Sequence, residues 1–426
     1  SAPLESNLGR TIEKTTLDQV QNDALGLLKN MGYACGPLTL AAPTAGRLVL
    51  KLSPGTLKTF PLPHDLGEYP VSDAILSRFE PFSPGDPYYI RETILAARRI
   101  ESEVASSATY TTVCAGDDFK GLDRSASFGP RRSWEIGLGA STEEYPLSFI
   151  RWKTNRLWSS ASKFQAELFG SNKRQSLGLD LKFYYTKTHP RLYLRPAFLL
   201  EHRNEDQYET YETKFSLYQG RAIDTGNWTL EPEVGFSVSR LRILNVTNPR
   251  TTLLFTPEVT LGGHTHDFEL YRGDPRTGFD GNLAYSYLPG SQAGSTGIHN
   301  VMLQGTLLTN YRNYVEPRWV LGLRFSLGTL FTTDGTVPDP NKIPPDWFFL
   351  AGGDHDLRGF GRNTLPSPDQ GASSIATVGF ESRWPNLISF PLEPLVFTDL
   401  GYLGDGNAKL GPDLYLSPGI GVLSPT

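Results

Sequence analysis

From Ser133 to near the end of the chain, apolar side chains occupy every second position, and no other feature of the sequence limits the fold as strongly. A period of two is the period of a β-strand, because successive side chains point to opposite faces. In one segment Leu177 and Leu179 alternate with polar or small residues, and similar alternation spans 228–239 and 319–328. Each predicted strand therefore has one apolar face and one polar face.

About fourteen segments share this pattern, and their length favours a membrane β-barrel over a soluble sandwich. Alternation alone does not decide, because the apolar face could pack on a second sheet or face lipid. Several segments have ten residues or more, whereas soluble strands centre on about five or six and membrane strands need about ten. We therefore predict a transmembrane antiparallel β-barrel over 133–426. Its strands are predicted at 133–140, 147–154, 162–171, 174–186, 190–203, 207–219, 226–241, 250–265, 277–288, 299–311, 316–331, 373–384, 391–403 and 413–424.

The overall composition excludes two other classes of protein. Apolar residues make up 38% of the chain, and no run approaches the roughly 18 apolar residues that a transmembrane helix needs. A formal net charge of -5 argues against a nucleic-acid-binding surface, which would be basic. Because Ser1 opens a polar stretch without an apolar core, no signal peptide is expected and the sequence is interpreted as a mature or trimmed form.

Residues before about 130 follow a different pattern. The apolar spacing predicts a helix near 17–31, a hairpin strand at 47–52 and a second helix at about 88–104, with Ile90, Ile94, Ala97 and Val104 on its apolar face. This order indicates two small α/β modules in succession. A single irregular α+β domain is the alternative interpretation.

The two cysteines, Cys35 and Cys114, lie in this N-terminal part and none lies in the barrel region. They could form a disulfide in an oxidising compartment, or they could be two small buried apolar residues. No His or Cys spacing predicts a zinc site, and we expect no metal and no cofactor.

A connection at about 332–372 is far longer than a hairpin turn, and connections of that length are often functional. It contains Gly352 and Gly353 in the segment Phe-Phe-Leu-Ala-Gly-Gly and, shortly after, Leu-Arg-Gly-Phe at 357–360. These residues resemble the signature loop of the outer-membrane insertase superfamily, which includes BamA, TamA and the two-partner secretion transporters. Two acidic residues follow in the order that the resemblance implies. The matching residues are Gly352, Gly353, Leu357, Arg358, Gly359 and Phe360 in the loop, and Glu381 and Asp399 after it.

The resemblance implies that the loop folds into the barrel lumen and that Arg358 pairs with Glu381 and Asp399. The alternation agrees, since placing Phe380 and Leu400 on the lipid face turns both carboxylates inward. A guanidinium in a partly dry lumen is costly unless paired, and its planar fork can bind two carboxylates at once. The alternative is that Arg358 is an ordinary solvated loop residue.

The resemblance extends to the N-terminal part, where it implies periplasmic POTRA domains at 1–60, incomplete, and 61–130. Two departures stand out. Leu357 replaces the usual Val or Ile of the signature. The segment 417–422 resembles the third strand from the end of a sixteen-strand family barrel, so the last hairpin is expected to be missing from this sequence.

The resemblance implies a TamA-like assembly factor of the bacterial outer membrane, with its N-terminal domains in the periplasm. In such proteins the first strand pairs weakly with the last, and a client strand adds to the opened edge. The expected partners are outer-membrane protein or autotransporter clients, the lipid bilayer and a TamB-like protein anchored in the inner membrane. The predicted seam residues of the first strand are Trp134, Ile136, Gly137, Leu138 and Gly139.

Other functions are weighed against this one. A two-partner-type secretion pore would share the POTRA units and the arginine loop, but it should also carry an N-terminal plug helix. A passive porin would need neither feature. His355 lies between Asp354 and Asp356, yet no Ser or Cys nucleophile motif accompanies them, so we do not expect an enzyme.

Overall fold

The chain divides into two compact units in a computed structural model, Ser1–Arg131 with Ser159–Ala161, and Arg132–Trp158 with Ser162–Thr426. The structure describes residues 18–20, 22–24, 38–44, 47–52, 71, 73–83, 86, 90–115, 118–140, 144–158, 160–185, 191–244, 249–270, 275–293, 296–311, 319–336, 343–354, 356–365, 371–385, 387, 392–405 and 409–423.

The first unit contains short helices and two hairpins. Strands β1 (Leu38–Thr44) and β2 (Arg47–Leu52) form one hairpin, and β3 (Ser107–Ala115) and β4 (Asp118–Ser127) form the other. Helix α1 (Asp73–Leu76) continues into a 3₁₀ turn, and α2 (Ile90–Glu103) follows. The division of this region into two POTRA-like modules remains a prediction, because much of 1–60 lies outside the described residues.

Helix α2 has its predicted position, but its predicted apolar face is right only in part. Ala97 and Val104 are buried as predicted, whereas Ile90 and Ile94 are exposed. The buried side also includes Leu95, Ala96 and Ile100. The helix carries aliphatic residues on two sides, so spacing alone does not decide which side packs. Burial of Leu76, Phe79 and Leu122 shows that the core of this unit takes the Leu95–Ile100 side.

The second unit is a single large antiparallel sheet. Fourteen strands pair in sequence order within the described part of the chain, and a short additional strand joins only one of them. Every predicted strand has a counterpart here, most with ends within two or three residues, while the additional three-residue strand was not predicted. The strands are β5 (Arg132–Gly139), β6 (Leu147–Leu157), β7 (Ser162–Gly170), β8 (Arg174–Lys182), β9 (Leu192–Asn204), β10 (Glu209–Arg221), β11 (Ile223–Thr225), β12 (Trp228–Leu244), β13 (Arg250–Thr265), β14 (Gly278–Leu288), β15 (Ile298–Tyr311), β16 (Trp319–Thr332), β17 (Ser374–Arg383), β18 (Glu393–Gly404) and β19 (Leu414–Leu423).

Two short helices, α3 (His266–Leu270) and α4 (Gly290–Ala293), lie in connections between strands of the sheet. None of the described helices is both long enough and apolar enough to span a membrane.

The strand registers place each side chain on one of two faces. We call the face covered by the connection between β16 and β17 the inner face. Arg324, Gly379 and Asp399 are register partners across β16, β17 and β18 and lie on this face. The outer face carries large exposed apolar side chains, which is the surface that a lipid-facing sheet presents. Examples are Leu168, Val234, Leu253, Phe380, Val396 and Ile420.

Candidate functional site

The connection between β16 and β17, called the lumenal loop below, begins its contact with the inner face at Ile343 and Phe348. Both side chains are buried in a cluster contributed by the neighbouring strands β12 to β16. Arg250 at the start of β13 donates a hydrogen bond of 2.7 Å to the Ile343 carbonyl oxygen. The strand residues of this cluster are Leu241, Ile243, Leu254, Leu288, Ile298 and Leu330.

The two glycines of the signature form a turn that other residues would not allow. Gly352 and Gly353 have φ angles of 108° and 105°, in the region that side chains disfavour. A Cβ on Gly352 would lie 2.1 Å from the carbonyl oxygen of Gly361. The Asp356 carboxylate accepts hydrogen bonds from the backbone N–H groups of Gly352 and Leu357, at 2.9 and 2.6 Å. These contacts therefore fix the direction in which the backbone leaves the turn after Leu357, toward the next residue of the signature.

That next residue, Arg358, lies against both acidic residues. Its Nε and Nη2 donate to the two oxygens of Asp399 at 2.9 and 2.8 Å, and its Nη1 donates to Glu381 at 2.6 Å. Its backbone N–H also donates to Asp399, at 3.1 Å. The guanidinium carbon lies 3.5 Å from the centre of the Phe397 ring, which adds a cation–π contact. Arg358 is thus held on the inner face by a bidentate ion pair with Asp399 and a single hydrogen bond to Glu381.

Burial strengthens this pairing. Asp399 is 0% exposed, and the Arg358 side chain is 15% exposed. Burial alone would lower the pKa of Arg358, but the hydrogen bonds that Arg358 donates to Asp399 and Glu381 outweigh it and raise that pKa above its ordinary value. The arginine therefore stays charged while the loop is seated.

Glycines on the strands make room for the loop and for the strand side chains that bind Arg358. A Cβ on Gly379 would lie 2.7 Å from Asp399 Oδ1, one on Gly401 would lie 2.8 Å from Leu357 Cδ1, and one on Gly419 would lie 2.3 Å from the Phe397 ring. These glycines were not predicted to belong to the site. The signal was available, because 379, 401 and 419 all fall on inward positions of consecutive strands.

The last residues of the signature contact β19. The Gly359 N–H donates to the Ser417 hydroxyl at 2.5 Å, and the Phe360 ring meets Tyr415 edge to face at 5.8 Å. The loop thus bridges β17, β18 and β19 at one end of the sheet.

Comparison with known proteins agrees with this geometry. The family model described as the Omp85 superfamily domain matches residues 153–422, which is more than half of the chain. The chain belongs to the Omp85 superfamily. This confirms the superfamily that the loop signature resembles, and it confirms the predicted barrel fold.

Solved structures show the same fold as this Omp85 protein at low sequence identity. BamA from Haemophilus ducreyi, lacking POTRA domains 1–3, is 14% identical with a TM-score of 0.59, covering 97% of this chain and 88% of that one. CdiB from Escherichia coli is 12% identical with a TM-score of 0.55, covering 100% and 81%. CdiB from Acinetobacter baumannii is 13% identical with a TM-score of 0.52, covering 97% and 76%.

A second arginine of the lumenal loop, which the sequence analysis did not single out, reaches the opposite end of the Omp85 sheet. Arg362 binds Glu144 in the connection between β5 and β6, and it binds Glu205 after β9 at 2.9 Å. The neighbouring Asn363 carbonyl oxygen accepts a hydrogen bond from Gln207. The loop therefore touches the first hairpin of the sheet as well as its last three strands.

We expect Arg362→Gln to loosen the first hairpin by about 1–2 kcal/mol, since it removes two ion pairs to buried carboxylates while the Arg362 side chain itself is 28% exposed. Hydrogen exchange of backbone amides in 144–150 and 205–208 should become faster, while exchange in β14 and β15 should not change. Lys173→Gln is the matched control, because Lys173 pairs with an Asp206 that is 72% exposed. Equal effects of the two substitutions would contradict the prediction.

The first strand of the sheet, β5, has one strand neighbour, β6, in the described part of the chain. Trp134, Ile136 and Leu138 point outward and are 69%, 73% and 85% exposed. Gly137 faces inward, where a Cβ would lie 2.1 Å from the Phe149 ring. The Phe149 ring therefore occupies the space that a side chain at position 137 would need. A glycine within a strand also weakens that strand. Gly139 follows at the strand end.

The structure does not describe the side chains of three residues that the sequence pointed to. Cys35 and His355 lie outside the described residues, and only the backbone of Cys114, in β3, is described. The disulfide between the two cysteines remains a prediction. Among the residues that the structure describes, no group of three or more His, Cys, Asp or Glu side chains is arranged to hold a metal ion.

Proposed function

We propose that this Omp85 protein is an outer-membrane assembly factor of the TamA type, which inserts β-barrel or autotransporter clients through a lateral seam. The observation that supports the proposal is the edge of β5, which pairs with β6 alone among the strands that the structure describes. An unpaired strand edge offers backbone N–H and C=O groups to an incoming strand, which must satisfy its own groups before it meets lipid. The exposed apolar face of β5 would continue the outer face into the client strand.

The lumenal loop would control how far the two ends of the sheet separate while a client strand is added. Through Arg358 it holds β17 and β18, through Gly359 it holds β19, and through Arg362 it holds the connection that follows β5. Because one loop binds near both ends of the sheet, its position would affect how far the two ends separate. POTRA-like units at 1–60 and 61–130 would lie in the periplasm and receive clients or a TamB-like partner.

The seam is tested by a photo-crosslinking amino acid placed at Ile136, in cells that synthesise a radiolabelled barrel or autotransporter precursor. Because the client pairs beside β5, we expect a crosslinked adduct from this position while the precursor is being assembled. Leu168 is the matched control, since it is an exposed outward residue of β7, a strand with neighbours on both sides. Equal adducts from both positions would contradict a seam at β5.

A secretion pore is the second candidate, favoured by the fold likeness to CdiB and by a cavity beside the lumenal loop. This cavity has a volume of about 540 Å³ and polar walls that include Asp280, Asn282 and Gln304. A chain that passed through the interior would crosslink from Gln304 rather than from Ile136. The same experiment therefore separates the two functions.

A further inference from the structure

Three arginines and two carboxylates form a cluster where Arg358 holds the lumenal loop. Among the residues that the structure describes, each of these arginines has a side-chain nitrogen within 4 Å of a carboxylate oxygen of the cluster. Arg358 binds Asp399 and Glu381. Arg383 binds Glu381 from the same strand, and Arg324 lies 3.7 Å from Asp399. The cluster thus has one positive charge in excess while the loop is seated, and the loop itself supplies one of the three.

Arg324 is the least satisfied of these cations. Its Nη1 donates a long hydrogen bond of 3.3 Å to the Asp354 carbonyl oxygen. Its buried Nε and Nη2 atoms donate to no atom in the described part of the chain. Partly buried guanidinium groups usually have better partners, because a lost hydrogen bond to water is not replaced otherwise. The position of Arg324 therefore needs an explanation other than its present contacts.

The register places Arg324 where it can reach Asp399 without obstruction. Arg324, Gly379 and Asp399 form one row across β16, β17 and β18. Gly379 has no side chain, and a Cβ there would lie 3.6 Å from Arg324 Nε and Nη2 and 2.7 Å from Asp399 Oδ1. A movement of roughly 1 Å would bring Nη2 to the distance of a charged hydrogen bond. Seated Arg358 opposes this movement, because it already occupies both Asp399 oxygens and repels the second cation.

We propose that Arg324 is a reserve counter-ion, which binds Asp399 when Arg358 and the lumenal loop withdraw. Arg383 would remain on Glu381, so two arginines would then face two carboxylates. The buried Asp399 would not be left uncompensated, and the loop could leave without the full penalty of exposing an unpaired buried charge. This inference deepens the proposed assembly function, in which the loop moves, but its tests need no client.

The first test is a double-mutant cycle in the full chain, with Arg324→Met and Arg358→Met alone and together. Folding is followed by the temperature at which the folded form converts to the unfolded form on a semi-native gel. Arg324→Met should leave this midpoint nearly unchanged, because Arg358 still binds Asp399 and a repulsion is removed, and Arg358→Met should lower it by on the order of 3 °C or less, because Arg324 then faces Asp399. The double variant should lower it by at least twice the sum of the single shifts. Additive shifts would overturn the proposal.

The second test measures how often the loop withdraws. Ser417 is 3% exposed beneath Gly359, so Ser417→Cys in a background with Cys35→Ala and Cys114→Ala reports withdrawal by its rate of reaction with a maleimide. Arg324→Met should slow this reaction about fivefold, since the withdrawn state loses its counter-ion and the seated state loses a repulsion. Arg195→Met is the matched control, because Arg195 is paired with Asp180 on β8. Equal rates in Arg324→Met and in the unaltered arginine background would overturn the proposal.

These two results are independent of the seam experiment. If no client crosslinks to β5 but the cycle is non-additive, the reserve counter-ion stands and the assembly function falls. If clients crosslink and the cycle is additive, the reverse holds.

Discussion

Asp399→Asn is expected to be the most damaging single substitution on the inner face, with a loss of about 3–5 kcal/mol of stability. Asp399 accepts three hydrogen bonds from Arg358 and lies 3.7 Å from Arg324. An amide keeps the shape of the side chain but removes its charge. Three arginines would then share the single carboxylate of Glu381, and burial prevents water from compensating them.

The effect would be measured as the fraction of protein that reaches the folded, heat-modifiable form, together with protease cleavage within 343–365. The folded fraction should fall severalfold, and the loop should be cut in whatever folds. Asp405→Asn is the matched control, because Asp405 is an exposed residue just after the same strand. If Asp399→Asn folded as well as the control and kept its loop protected, the pairing would not be what holds the loop.

Gly352→Ala is expected to displace the lumenal loop while leaving the sheet folded. The backbone there has a φ angle of 108°, which costs a side chain about 1–3 kcal/mol. The added Cβ would also lie 2.1 Å from the Gly361 carbonyl oxygen, which accepts hydrogen bonds from Thr364 and cannot easily move. Relief of this contact requires the turn to open, and an open turn no longer directs Arg358 at Asp399.

Gly335→Ala separates the two causes, because Gly335 has a φ angle of 77° and no atom within 4 Å of an added Cβ. The control should therefore pay only the conformational cost and leave the loop protected. Protease cleavage near Arg358 in folded protein is the measurement, with rapid cutting expected for Gly352→Ala alone. Similar protection in both variants would show that the close approach to Gly361 does not matter.

The strands could be predicted closely because a two-residue period persists over segments of eight to seventeen residues. The three-residue β11 is too short to show any period, which explains its omission. Alternation also indicates which side chains face inward. The facing of Glu381 and Asp399 toward the loop arginine could therefore be argued from sequence, with the resemblance supplying the choice of Arg358.

The rest of the site depends on contacts that no local pattern encodes. Arg362 binds Glu205 and Glu144, which lie 157 and 218 positions away in the sequence. Both partners are in connections between strands, where no periodic pattern indicates which residues meet. Arg324 is one inward charge among many on the strands, and only the register reveals that a glycine lies between it and Asp399. The apolar face of α2 was predicted only in part for a similar reason, because packing in the rest of the unit decides which aliphatic side of the helix is buried.

The ion pair between Arg362 and Glu144 has a practical consequence for inhibiting the protein without entering its cavity. A reagent that pulled on the connection between β5 and β6, such as a nanobody raised against that hairpin, would act on a residue only four positions from Arg358. Inhibition would then need no access to the cavity, and resistance would be expected to arise at Glu144 or Arg362 rather than among the acids that hold the signature arginine.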